Sequence, residues 1–149
     1  MNYSPEAPTT GTLVIIDKDG AKYSLPGAFP GSGRTEDYQL SSPNSPCPTD
    51  KARSIQLGEF SSATRIFLCD SDWYDRGPDQ VFWLEFLTTR KITSTDAIEL
   101  EYIDSYQVGQ IIKPGVQLIG KFHRGSESPR DKLSFVRFTA PTAPPADQP

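Results

Sequence analysis

Between two apolar runs the chain carries Asp70-Ser71-Asp72-Trp73-Tyr74-Asp75-Arg76-Gly77-Pro78-Asp79. Two chemistries fit these residue types. Asp70, Asp72 and Asp75 are close enough in sequence to converge on one hard cation such as calcium, which takes roughly six to eight oxygens. The later positions depart from a calcium loop: Tyr74 stands where a further oxygen ligand belongs, and no glutamate closes the loop. Trp73 and Tyr74 offer aromatic area at low entropic cost, which suits a sugar face or a protein hot spot. Asp72, Asp75 and Arg76 beside them can hydrogen-bond a ligand's polar groups. The ligand-binding candidates are therefore Trp73, Tyr74, Asp72, Asp75 and Arg76. The alternative is a solvated acidic turn with Trp73 folded back onto the scaffold.

Three other features bear on chemistry. Glu85 lies inside Phe82-Trp83-Leu84-Glu85-Phe86-Leu87, and a carboxylate in apolar surroundings is the usual setting of a catalytic acid. Its structural alternative is an ion pair with Arg53 or Arg65 on a neighbouring strand. His123 is the single histidine, and it is read as a surface residue at a strand end. No Gly-x-Ser-x-Gly elbow accompanies it, and Gly31-Ser32-Gly33 lacks the Lys-Ser/Thr of a phosphate-binding loop. With Cys47 and Cys69, His123 makes too few ligands for a four-ligand Cys/His zinc site. A Cys47–Cys69 disulfide would close a loop of roughly 20 residues, worth ~3 kcal/mol in the chain-entropy model. Nothing in the chain signals an oxidising compartment, so two separate thiols are expected.

Composition bounds the rest. The chain has 149 residues with 15 Lys+Arg against 19 Asp+Glu, a net charge of −4. That length fits one domain, and that balance excludes a strongly basic nucleic-acid binder. No apolar run approaches the ~20 residues of a membrane span. The first residues have no basic region followed by an apolar one, so the chain reads as cytoplasmic, with leaderless export as the alternative. Residues 50–104 hold 11 acids and 6 bases (−5), and residues 113–138 hold 6 bases and 2 acids (+4). This asymmetry either docks a charged partner or oligomer, or is neutralised between neighbouring segments.

Proline placement shows which elements position these residues. Pro26, Pro30, Pro43, Pro46 and Pro48 mark a long irregular loop over 27–50, with a short strand at Tyr38-Gln39-Leu40. Pro141, Pro144, Pro145 and Pro149 mark a disordered tail over 140–149, and residues 1–10 are read as flexible. Proline removes a ladder donor and fixes φ, so the proline-poor middle holds the strands. Thr12–Ile16 and Lys22–Leu25 flank Asp17-Lys18-Asp19-Gly20 as a hairpin. Arg53–Leu57 alternates. Thr64–Cys69 and Val81–Leu87 are apolar on both faces, so both are placed centrally. Residues 59–62 read as a turn. Ile98–Ile103 alternates as a strand, with a helix capped at Thr95 as the competitor. Gln110–Ile112, Val116–Phe122 and Leu133–Phe138 complete about eight short strands. Their spacing predicts an all-β fold, an antiparallel β-sandwich with a Greek-key or partly closed barrel as variants, in a single domain over 11–139.

The sequence thus predicts a non-enzymatic binding module that recognises a protein surface or a glycan through the 70–79 loop. A structural or assembly subunit is the second expectation. A small hydrolase using Glu85 or an aspartate of the 70–79 loop is the third.

Overall fold

The computed structural model describes residues 10–103 and 105–142. The flexible start expected over 1–10 and the tail expected over 140–149 fall largely outside those residues. Within them the chain is all-β, with twelve strands paired antiparallel.

The hairpin forms as the sequence predicts. β1 (Thr12–Asp17) returns as β2 (Lys22–Pro26). Asp17 Oδ1 accepts from the N–H groups of Asp19 and Ala21, and Gly20 adopts a φ of 84°, which its missing Cβ permits. β4 (Ala52–Gly58) pairs with β1, and the two-residue β9 (Ile98–Glu99) pairs with β4. These make a four-stranded sheet in the order β2-β1-β4-β9.

The second sheet has six strands in the order β10-β11-β7-β6-β12-β3. They are β3 (Thr35–Gln39), β6 (Arg65–Cys69), β7 (Phe82–Thr88), β10 (Ile111–Lys113), β11 (Val116–His123) and β12 (Phe135–Thr139). The core lies between the two sheets. Leu13, Ile15, Leu25, Ile55 and Leu57 of the smaller sheet meet Ile66, Leu68, Phe82, Phe86 and Phe138 of the larger in one buried cluster. This is the predicted sandwich, with period-two alternation aiming each strand's apolar set inward.

Three local expectations are corrected. The short strand expected at Tyr38-Gln39-Leu40 within 27–50 is β3, which begins three residues earlier and ends at Gln39. Thr35, Glu36 and Asp37 are exposed, so the strand shows no apolar alternation in sequence. Leu40 and Cys47 anchor the flanking loop in the core. Residues 59–62 are not merely a turn. β5 (Phe60–Ser61) pairs with β8 (Ile92–Thr93), and Phe60 is fully buried against Phe138 at 5.6 Å. The strand predicted over 98–103 stops at Glu99, and α1 (Leu100–Ile103) follows as a single turn. One turn buries Leu100 and Ile103 together, whereas strand alternation would bury Tyr102, which stays exposed. Cys47 and Cys69 are two separate free thiols, as expected, and both are buried.

The charge asymmetry is neutralised in part across the fold. Arg53 from the acidic segment pairs with Asp131 at 2.8 Å, and Arg130 from the basic segment pairs with Glu101 at 3.4 Å. Among the described residues no helix is long and apolar enough to cross a membrane.

Candidate functional site

A sheet covered on one face by a sandwich partner leaves its other face to be explained. On the outer face of the six-stranded sheet, alternation brings out Phe67 and Cys69 from β6, Trp83 and Glu85 from β7, and Phe135 and Arg137 from β12. Phe67, Cys69 and Phe135 are buried there in a second small cluster, with Trp83 packed against it. The cover is the 70–80 loop that joins β6 to β7.

The loop is fastened by its backbone. Gln80 is buried, and its Oε1 accepts from Asp70 N–H and Ser71 N–H, both at 3.0 Å. Its Nε2 donates back to the carbonyls of Asp75 and Gly77. Asp70 Oδ2 accepts from Val81 N–H at 3.0 Å. The Cys69 thiol donates to Trp73 O at 3.2 Å. Gln39 of β3 donates from Nε2 to Asp72 O at 3.2 Å. The loop is therefore a held platform rather than a mobile turn.

Its side chains interleave with those of the sheet. The Tyr74 ring lies 4.5 Å from Phe67, and Phe67 stacks on Trp83 at 5.9 Å. The Arg76 guanidinium sits 4.5 Å from the Trp83 centroid and 5.4 Å from that of Phe67. Arg137 covers the Tyr74 ring at 4.2 Å. Each cation is in turn held by a carboxylate: Arg76 by Glu85, and Arg137 by Asp37 through two bonds of 2.8 and 2.9 Å. The Arg76 Nε–H also donates to the Tyr74 hydroxyl at 2.8 Å. Burial pulls the Arg76 pKa down, but the Tyr74 hydroxyl and the Glu85 carboxylate outweigh it and leave the pKa above its ordinary value. The Asp37 hydrogen bonds raise that of Arg137. The result is a fixed ladder of alternating rings and guanidinium groups, an arrangement in which cation–π attraction adds to area burial.

No family model matches this chain, and no curated protein or solved structure does either.

The predicted site residues divide into three groups. Trp73 keeps 68% of its surface exposed and stands at the rim of the platform. Asp72 is exposed beside it. Tyr74, Arg76 and Asp75 serve the platform itself: Tyr74 packs on Phe67, Arg76 holds Glu85, and Asp75 Oδ1 accepts from Gly77 N–H at 2.7 Å. The expected convergence of Asp70, Asp72 and Asp75 on a cation is not observed. Among the described residues no three His, Cys, Asp or Glu side chains form a group that could hold a metal ion. The reason is local, since Asp70 and Asp75 turn back to cap the loop's own N–H groups.

Glu85 is buried, at 6% exposure, and its partner is Arg76 rather than Arg53 or Arg65. Arg53 is taken by Asp131, and Arg65 points to solvent. His123 ends β11 and is half-buried. A concavity of about 320 Å³ lined by Asp17, Lys18, Asp50, Lys51 and Asp131, among others, contains none of the predicted site residues. Sequence reasoning missed three residues of the platform: Gln80, Arg137 and Gly120. A Cβ on Gly120 would sit 2.7 Å from Trp83 Cζ3, so only glycine lets the indole lie flat on β11. No spacing signal links Arg137 or Gly120 to the loop, because they meet it only across strands, and Gln80 acts through the loop's backbone rather than through a motif.

Proposed function

We propose that this chain is a non-catalytic binding module that docks a protein partner on the outer face of its six-stranded sheet, with Trp73 as the anchor. The observation that carries the reading is the exposed Trp73 side chain on a loop whose backbone is pinned by Gln80, Cys69 and Gln39. A large aromatic group left in water on a held platform loses little conformational entropy when a partner covers it. Its neighbours Tyr74, Arg76 and Arg137 give the face the Trp, Tyr and Arg composition of protein hot spots, which favours a protein over a glycan. Glu85, the carboxylate considered for hydrolysis, is engaged by Arg76 and supports the platform.

The test compares wild type with Trp73→Ala as baits for partners in lysate, alongside a glycan array. Trp73 is mostly solvated, so the variant should keep its Tm within about 2 °C, a change of a few tenths of a kcal/mol. A protein retained by wild type and lost by the variant is expected. Identical bound sets for both baits refute the reading, and a glycan signal that requires Trp73 replaces the partner class. Tyr74→Ala is not an equivalent probe, because it also uncovers Phe67.

A further inference from the structure

We propose that β3 is a strand-addition edge through which the chain takes up an extended, lysine- or arginine-bearing segment of its protein partner. This rests on reading the Trp73 face as a docking surface, and it names what the partner contributes beside it.

The two main sheets have four edge strands. β2 carries Lys22 and Pro26. β9 is two residues long and runs into α1. β10 is three residues long, with a register shift and Lys113. Charged side chains, lysine above all, with proline, irregularity and shortness, are the devices that blunt an edge. β3 has five residues and a continuous register, with neither proline nor lysine, and of its two charges Asp37 is engaged by Arg137.

The hydrogen-bond parity of β3 can be read directly. Leu40 N–H donates to Ser134 O, and Ala140 N–H donates to Arg34 O. In an antiparallel ladder the even-numbered residues therefore bond to β12, and Thr35, Asp37 and Gln39 turn their backbone groups away from the sheet. Gln39 O accepts from Ser42 N–H. Among the described residues nothing takes up the N–H groups of all three or the carbonyls of Thr35 and Asp37, along ~14 Å of strand. A groove of about 260 Å³ follows this edge, with Asp37, Tyr38 and Gln39 on one side and Ser42, Asn44 and Pro46 on the other. Asp37 and Tyr38 belong to opposite faces of the sheet, so a groove lined by both lies along its edge.

Charge selects the occupant. Glu36 is exposed and has no ion pair among the described residues, and exposed Asp72 adjoins the C-terminal end of β3 through Gln39. Arg34 lies before the other end. The complementary segment is basic opposite Glu36 to Gln39, and neutral or acidic opposite Arg34. A second copy pairing antiparallel about Glu36 or Asp37 would set like carboxylates opposite one another, which is destabilising.

The probe is a phage-displayed library of random dodecapeptides selected on the full chain. Enriched peptides should be basic, with Lys or Arg opposite Glu36. On binding they should slow hydrogen exchange at the amides of Asp37 and Gln39. Thr35→Pro removes an outward N–H while leaving the β12 ladder intact. It should weaken binding about tenfold, the worth of one lost hydrogen bond. Glu36→Lys, which touches no backbone bond, should reverse the charge preference. No enrichment, enrichment of acidic peptides, or protection confined to other strands overturns the inference. Self-association abolished by Thr35→Pro makes a second copy the occupant and overturns it too. Binding lost in Trp73→Ala but kept in both edge variants leaves the Trp73 reading standing and removes the edge. The converse pattern keeps the edge and removes Trp73.

Discussion

Arg76 and Glu85 should be coupled far more strongly than an exposed ion pair. The Glu85 side chain keeps 9% of its accessibility, while that of Arg76 keeps 41%. Breaking a buried pair by removing one partner costs about 3–5 kcal/mol, because the other charge is left desolvated. Water can reach the place that Arg76 vacates, which offsets part of this, so Arg76→Met should cost about 2–3 kcal/mol. Glu85→Gln keeps the shape and an oxygen facing the guanidinium, and should cost about 1 kcal/mol. In the double variant no charge is stranded, so its loss should be about 1–2 kcal/mol rather than the sum of the two. Urea unfolding of the four proteins, with constant m-values, measures the cycle. Single losses that add to within about 0.5 kcal/mol would show that Glu85 does not depend on Arg76, and the account of the platform would fail.

Two further outcomes follow from the same geometry. Gly120→Ala puts a methyl group 2.7 Å from Trp83 Cζ3 and must push the indole off the sheet. An overpacking loss of about 1–3 kcal/mol is expected, with red-shifted Trp83 emission in a Trp73→Phe background; unchanged emission would refute the close approach. Burial pushes the thiols of Cys47 and Cys69 up to about 12 from an ordinary value of 9.0. The folded state therefore holds protons that the unfolded chain releases, so this stability is complete below pH 9 and is lost as pH rises toward 12. Both thiols should resist a disulfide reagent at pH 8 until urea unfolds the chain, and reductant should leave the Tm unchanged; rapid labelling of the native protein would contradict their burial.

How much of this was legible in the sequence depended on the range of the interaction involved. The β1–β2 hairpin needs only its own alternation and a turn with Asp17 and Gly20, so local residues specify it. The two-sided apolar character of Thr64–Cys69 and Val81–Leu87 placed both strands at the centre of a sheet, because a strand covered on both faces cannot afford polar positions. β3 was legible only at its Tyr38-Gln39 end, for the opposite reason. It is an edge strand whose outward residues are polar, and what makes it a strand is β12, roughly 100 residues away. The turn at Leu100–Ile103 was ambiguous because Ile98, Leu100 and Tyr102 fit a strand equally well until the core chose Leu100 and Ile103.

The candidate site shows the same division. The sequence by itself determined that residues 70–79 form a polar, aromatic loop between two apolar strands, and left Glu85 as either an acid in apolar surroundings or the partner of an arginine. Only the tertiary structure decided that the cation is Arg76 from that loop, and that Asp70 and Asp75 cap backbone N–H groups instead of gathering. It also decided that Tyr74 lies on Phe67 while Trp73 stays in water. Carboxylate orientation is set by which N–H groups lie within about 3 Å, and ring burial by which side chains alternate onto the same face of adjacent strands. Both are properties of strand register, and register is fixed when the two sheets close on a common core.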